Sequence, residues 1–163
     1  MSSWLHLRLI FANAYYGDKQ GWSLRTDYKY PRAFLIWVPL DDGPRVLTLD
    51  CVPGNNFGIR SEDVDPQKST QAPTLALRNG SFRYDVQGEI THAVDGETFF
   101  QATLPGNRSD LSSLARKLLP ILEGRERIAF SISSPGETPA PASISVSGLG
   151  FLMREFKAVC FGR

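Results

Sequence analysis

The sequence predicts a mainly β protein, either an antiparallel β-sandwich or a bent sheet, with two short helices. Three observations support this class. Short apolar segments, several of them alternating with polar residues, are separated by turn signals. Fourteen glycines and eleven prolines in 163 residues exclude one long helical bundle. Only two segments change to the 3.6-residue period of a helix.

The predicted strands are short and are joined by tight turns. The run 33–38 is continuous and bulky, as is typical of a buried strand, and Asp41-Asp42-Gly43-Pro44 turns it toward a hairpin partner. Asn79-Gly80 is the strongest hairpin signal, and Asp95-Gly96 marks another turn, so we expect an antiparallel meander over 74–104. The predicted strands are 33–38, 45–52, 57–60, 74–78, 81–86, 89–94, 98–104, 128–133 and 143–147.

Two amphipathic segments predict the helices, at about 110–122 and 149–160. Ser109 or Asp110 can cap the first and Ser147 the second, because short polar side chains accept hydrogen bonds from the free N–H groups of a helix start. Each helix has one apolar stripe. The stripe residues are Leu111, Leu114, Ala115, Leu118 and Leu119 in the first, and Leu149, Leu152, Met153, Phe156 and Cys160 in the second.

Length and charge limit the classes of function. The length suits a single β-rich domain over 1–163, since one domain takes roughly 150 residues. Eighteen Lys and Arg against 17 Asp and Glu give a net charge of +1, which argues against nucleic acid or anionic lipid bound by charge alone. Because no apolar run reaches about 18 residues, we expect no membrane span.

The first fourteen residues have two interpretations. Leu5, Leu7, Leu9 and Phe11 alternate with other residues, which favours a half-buried strand at 4–11. The triplet Ala12-Asn13-Ala14 has the small-x-small form of a secretory cleavage site, so this stretch can also be the remnant of a leader.

No motif identifies a catalytic or cofactor site. There are two histidines, His6 and His92, and neither follows a Gly-x-Ser-x-Gly elbow. The acidic cluster around Glu62 lacks the spacing of a calcium loop, and no phosphate-binding glycine motif occurs. We therefore predict no catalytic residues, no metal and no cofactor. The best enzymatic alternative is a hydrolase in which His92 works with Asp95 or a loop carboxylate, at the floor of a pocket.

Arginines interleaved with aromatic residues predict a binding surface. Guanidinium groups pair with carboxylates and stack on rings, so this pattern suits a protein or an envelope polymer as partner. Single-stranded nucleic acid fits less well, because acidic residues are mixed through the same stretch. The interleaved arginines include Arg45, Arg60 and Arg78; the predicted surface residues are Trp22, Arg25, Tyr28, Tyr30, Arg32, Arg83 and Tyr84.

The two cysteines, Cys51 and Cys160, are far apart in sequence and form no C-x-x-C motif. A bond between them would close a long loop and could stabilise the fold by roughly 4–5 kcal/mol. Two separate buried thiols, which behave as small apolar groups, are the other interpretation. Composition alone leaves both open.

Three segments resemble small secreted bacterial envelope proteins of the invasion-associated locus B type. Residues 22–25 (Trp-Ser-Leu-Arg) are similar to their opening Trp strand, and 46–51 to their early strand ending in Cys. Residues 143–151, followed by Cys160, are similar to their closing strand and short helix. The resemblance implies a non-enzymatic periplasmic or secreted β-sandwich protein, with Cys51 and Cys160 as candidate disulfide partners.

The sequence therefore favours a non-enzymatic binding or accessory protein of the bacterial envelope that acts through a β-sheet surface. The first alternative is a cytoplasmic interaction protein, such as an immunity or phage-encoded inhibitor. The His92 hydrolase is the second. Partner identity and oligomeric state do not follow from the sequence.

Overall fold

The computed structural model describes residues 13–17, 21–27, 29, 31–39, 45–64, 71–139 and 141–162. The proposed strand or leader at 4–11, the turn at 41–44, Tyr28 and Tyr30 lie outside these residues. Within them the chain forms eleven strands and two helices, which confirms the mainly β class.

Seven strands form one antiparallel sheet, in the order β1-β2-β3-β4-β5-β9-β8. We call it the seven-stranded sheet. Its strands are β1 (Asn13–Gly17), β2 (Gly21–Asp27), β3 (Arg32–Val38), β4 (Leu47–Val52), β5 (Asn56–Ser61), β8 (Glu89–His92) and β9 (Thr98–Pro105).

Alternation along β2, β3, β4 and β5 gives this part of the sheet an apolar inner face and a polar outer face. One inner row consists of Leu24, Leu35, Leu49 and Ile59, which are fully buried and lie side by side in register. Each of these side chains contributes about 1.5–3 kcal/mol by leaving water. The adjacent residue on each strand points the other way, and these residues form the outer face.

Four strands form a second antiparallel sheet, in the order β11-β10-β6-β7. Its strands are β6 (Thr74–Asn79), β7 (Phe82–Gln87), β10 (Ile128–Ser133) and β11 (Ala142–Ile144). The predicted hairpin at Asn79-Gly80 joins β6 to β7. Gly80 has a φ of +60°, a left-handed conformation that favours glycine.

The expected meander over 74–104 does not run through one sheet, because the chain changes sheets at Gly88, between β7 and β8. A Cβ atom on Gly88 would lie 2.4 Å from the carbonyl oxygen of Gln101 and 2.5 Å from the ring of Phe100. Only glycine therefore fits this crossing without displacement of its neighbours, and Gln87-Gly88 carries the chain from one sheet to the other.

Two helices complete the core, α1 (Arg108–Leu122) and α2 (Leu149–Phe161), within two residues of the predicted ranges. Helix α2 packs against β2, β3 and β4, helix α1 packs against β6 and β7, and the two helices contact each other. Side chains of both sheets and both helices form one buried cluster. Neither helix in the described ranges has the length and apolarity that a bilayer span needs.

The predicted helix caps differ from the observed ones. Asn107, and not Ser109 or Asp110, caps α1: its Oδ1 accepts a hydrogen bond from the Asp110 N–H at 2.9 Å. Gly148, with a φ of +81°, precedes α2 in place of Ser147.

Strand β11 is also shorter than predicted, because the chain leaves the sheet after Ile144. The next residue serves two other contacts. The Ser145 carbonyl accepts the indole N–H of Trp22 at 2.6 Å, and its hydroxyl accepts the N–H of Ser147 at 3.1 Å. The chain therefore turns toward α2 instead of extending the strand.

Candidate functional site

A polar cleft of about 550 Å³ opens on the outer face of the seven-stranded sheet. One outer row runs Phe34, Asp50, Gly58 and Thr103 across β3, β4, β5 and β9. Gly58 has no side chain, so the row has a gap in the middle of the face. The larger side chains around that gap form the walls of the cleft.

Arg32 and Asp50 form a tight ion pair on one wall. The Arg32 Nε and Nη2 atoms donate to the two Asp50 carboxylate oxygens at 3.0 and 2.8 Å. The guanidinium also lies 4.3 Å from the centroid of the Phe34 ring. This two-point hydrogen bond to Asp50 raises the pKa of Arg32 above its ordinary value, so the guanidinium keeps its charge.

Arg60 lies on the opposite wall and is held differently. Its guanidinium stacks on Phe99, 3.6 Å from the ring centroid. One terminal nitrogen, Nη2, lies 3.7 Å from a Glu62 oxygen and 3.5 Å from a Glu97 oxygen. The Nε atom is buried with no hydrogen-bond acceptor among the described residues. Arg60 is therefore fixed by stacking, with loose ion pairs.

Arg45 is exposed at the rim of the cleft. Its backbone pairs with Glu62: the Arg45 N–H donates to a Glu62 side-chain oxygen at 3.3 Å, and the Glu62 N–H donates to the Arg45 carbonyl at 2.9 Å. Among the residues that the structure describes, none forms an ion pair with the Arg45 guanidinium. Within the described part of the chain, the cleft thus has one cation without an ion pair.

The walls are balanced in formal charge, with three arginines and three carboxylates. Thr48 and Gln101 add neutral hydrogen-bonding groups. This arrangement can bind a ligand that carries both charges and hydrogen-bonding groups. Among the described lining residues there is no histidine, cysteine or serine, and no cluster of metal ligands occurs in the described part of the chain.

The predicted binding-surface residues do not form one surface. Arg32 lines the cleft, and Arg25 is exposed on the same face, in register with Phe34. Trp22 was predicted on the surface, but it is 4% exposed and lies in the core, because it occupies the inner alternation of β2 with Leu24.

The other two residues lie on β7, in the four-stranded sheet. Arg83 is exposed and pairs with Asp85 at 2.7 Å. Tyr84 is half-buried against the core, and burial raises the pKa of its hydroxyl. These two residues are therefore not neighbours of Arg32 and Arg25 in the sheet. The prediction of one common surface is therefore wrong for Arg83 and Tyr84, because their strand, β7, belongs to the other sheet.

The structure does not place His92 at the floor of a pocket. His92 is exposed at the end of β8, and its Nδ1 lies 3.1 Å from the Thr98 hydroxyl. Asp95, the proposed acidic partner, accepts the backbone N–H of Glu97 at 3.0 Å, so its carboxylate holds the turn. The arrangement predicted for a His92 hydrolase is therefore wrong.

Cys51 and Cys160 are both free and buried, and they lie beside each other between β4 and α2. Burial raises the pKa of the Cys160 thiol strongly, and its hydrogen bond with Cys51 raises it further. The two residues were predicted as candidate disulfide partners; they are neighbours, but the structure contains no bond between them. They act as adjacent apolar groups of the core.

The sequence pattern did not single out most of the cleft. Gly58 and the carboxylates Asp50 and Glu97 were in no predicted site, and Arg45 and Arg60 appeared only as members of the interleaved set. Alternate positions on β4 and β5 are a signal that could have found Asp50, Gly58 and Arg60, since outward residues of paired strands lie side by side.

Comparison with known proteins gives only a weak structural likeness. No family model matches the chain, and no curated protein matches it. One similar solved structure is that of invasion-associated protein B from Bartonella henselae, at 13% identity and a TM-score of 0.43. The match covers 87% of this chain and 95% of that one. A likeness at this level does not assign a function.

Proposed function

We propose that the protein is a non-enzymatic binding protein that holds a partner in the cleft on the outer face of its seven-stranded sheet. The observation that carries the proposal is the gap at Gly58 between two arginine-bearing walls. A β-sheet face that is only solvated would be even, whereas this face has a recess lined by Arg32, Arg45 and Arg60. Arginine is the residue best suited to bind planar anionic groups and to stack on rings.

The charge pattern supports a protein partner over a uniformly charged polymer. The walls carry three positive and three negative groups, so their formal charges sum to zero. A polyanion or a polycation would meet like charges on either wall, which costs binding energy. A protein segment with both charges can match each group, so we propose a protein, with an envelope polymer as the other outcome of the test.

We also propose that the protein works in the bacterial envelope, in the periplasm or secreted. The support is the resemblance of segments 22–25, 46–51 and 143–151 to envelope proteins. One observation favours the second candidate, a cytoplasmic interaction or inhibitor protein: the adjacent thiols of Cys51 and Cys160 are free, as is usual in a reducing compartment. Thiol counting and cell fractionation in the native host distinguish the two candidates.

Filling the gap tests the binding proposal. The Cβ atom of a residue at position 58 would have ordinary contacts, 3.7 Å to the Asp50 Cβ and 3.8 Å to its carbonyl oxygen, so Gly58→Val should fold. Arg116→Ala, on the exposed side of α1, is the matched surface control.

The readout is capture from extracts of the native host, with the bound species identified. We expect the wild-type protein and Arg116→Ala to retain the same protein partner, and Gly58→Val to lose it. A polysaccharide in place of a protein would refute the protein assignment. Equal retention by Gly58→Val would refute the cleft as the binding site.

A further inference from the structure

We infer that Arg45 and Arg60 form a subsite for one carboxylate, supplied by an aspartate or glutamate side chain of a protein partner. The inference rests on the proposed function and names the chemistry of the group that the cleft accepts. The three arginines of the cleft use their N–H donors in different ways.

Arg32 makes a short two-point hydrogen bond, whereas Arg60 makes only long contacts. The Arg32 contacts to Asp50, at 2.8 and 3.0 Å, are within the range of a strong charge-assisted hydrogen bond. The Arg60 contacts, at 3.5 and 3.7 Å, are well outside it, and both use the same nitrogen. A guanidinium has five N–H donors. The Arg60 side chain is 36% exposed, so those of its donors that face outward can reach a ligand.

Phe99 fixes the plane of Arg60 before any ligand arrives. With the guanidinium stacked 3.6 Å from the ring centroid, rotation of the side chain is restricted. A ligand that pairs with a fixed guanidinium loses less conformational freedom on binding than one that must order a mobile side chain. The wall at Arg60 is thus preorganised for a planar anionic group.

Arg45 supplies the second cation at the same cleft. Its backbone is held by two hydrogen bonds with Glu62, while its guanidinium has no ion pair with any described residue. An anion beside Arg60 would also be attracted to Arg45, whose guanidinium has no ion pair among the described residues.

The surrounding acids select a carboxylate within a polypeptide over a phosphate. Asp50, Glu62 and Glu97 line the same cleft, so a doubly charged anion meets three like charges there. A single carboxylate meets less repulsion. The Glu97 side chain is 59% exposed and can pair with a basic or N–H group elsewhere on the same segment. A protein segment of mixed charge supplies both groups.

Blocked tripeptides test the chemistry directly. The probes are Ac-Ala-Glu-Ala-NH2, its Gln counterpart, which has the same shape without the charge, and inorganic phosphate at matched ionic strength. Binding is followed by the backbone amide NMR signals of Arg45, Gly58 and Arg60. Because one lost charge-assisted contact corresponds to about a tenfold change in affinity, we expect the Glu peptide to bind about tenfold tighter than the Gln peptide.

Matched variants localise the effect. Arg45→Gln lies at an exposed position and should fold normally; it should weaken the Glu peptide about tenfold and leave the Gln peptide unchanged. Arg116→Gln should change neither. Equal binding of the two peptides, tighter binding of phosphate, or full retention by Arg45→Gln would each overturn the inference. If the peptide and Arg45→Gln predictions fail while Gly58→Val still loses the host partner, the proposed function stands and only the carboxylate subsite is wrong.

Discussion

Asn79 is expected to hold the β6–β7 hairpin against the end of α1, and its replacement should be among the most destabilising polar substitutions. The side chain is 3% exposed. Its Nδ2 donates to the carbonyls of Ile121 at 3.0 Å and Glu126 at 2.8 Å, and its Oδ1 accepts the Glu126 N–H at 3.1 Å. Gly124 packs so closely on the amide that a Cβ there would lie 2.3 Å from it.

The magnitude follows from these three bonds. Each contributes about 0.5–1.5 kcal/mol, and the Ile121 carbonyl that loses its partner stays buried, so Asn79→Ala should lower the free energy of unfolding by roughly 2–4 kcal/mol. Asn79→Asp keeps the shape but turns an acceptor toward two carbonyls. Burial and these carbonyls raise the pKa of the new carboxyl, so the variant should recover part of its stability as the pH falls toward the ordinary aspartate pKa of about 3.9.

Urea denaturation at several pH values measures both effects. Asn107→Asp is the matched control, because asparagine and aspartate cap helices about equally well, and its stability should change by less than about 0.5 kcal/mol. A loss below about 1 kcal/mol for Asn79→Ala, or no pH dependence specific to Asn79→Asp, would refute the argument that these bonds hold the hairpin.

Three further predictions concern the crossing, the thiols and the Trp22 contact. Gly88→Ala should lower the free energy of unfolding by about 2 kcal/mol or more, because its Cβ would overlap a backbone carbonyl and an aromatic ring. Gly150→Ala lies in open space on α2 and should not lower it. Equal urea midpoints for the two variants would contradict this prediction. The pKa of Cys160 is raised in the folded state, so the contribution of this thiol to stability is complete below the unfolded pKa of about 8.5 and falls above it, by about 1.4 kcal/mol per pH unit. Cys160→Ala should therefore reduce the slope of unfolding free energy against pH in urea titrations between about pH 8.5 and 10. An unchanged slope would be contrary to the prediction. Trp22→Phe should cost about 1–3 kcal/mol in thermal unfolding, since it loses the indole donor to the Ser145 carbonyl, and a neutral result would show that this contact does not stabilise the fold.

The sequence predicted the elements whose periodicity is long and regular. The helices at 108–122 and 149–161 were found within two residues, because their apolar stripes repeat through several turns. Strands β1 and β2 were not assigned from the pattern of 15–30, where glycines and aromatics obscure the alternation. The resemblance at 22–25 did indicate a strand there, and β2 confirms it.

The candidate site was predictable only in part, because it depends on pairing between distant strands. Arg32 was predicted on a surface, but its partner Asp50 comes from the next strand, and Arg60 stacks on a ring from β9. The feature that creates the cleft is the lack of a side chain at Gly58. A local pattern does not distinguish a glycine that opens a recess from one that marks a turn.

The position of α2 has a consequence for synthesis on the ribosome. Helix α2 covers strands β2–β4, which the ribosome synthesises before it. The helix that shields their apolar face follows only at 149–161. At the usual rate of translation, roughly 5 to 20 seconds separate the two. During that interval the nascent chain exposes a row of leucines, so chaperone contact on this row is expected until the helix emerges.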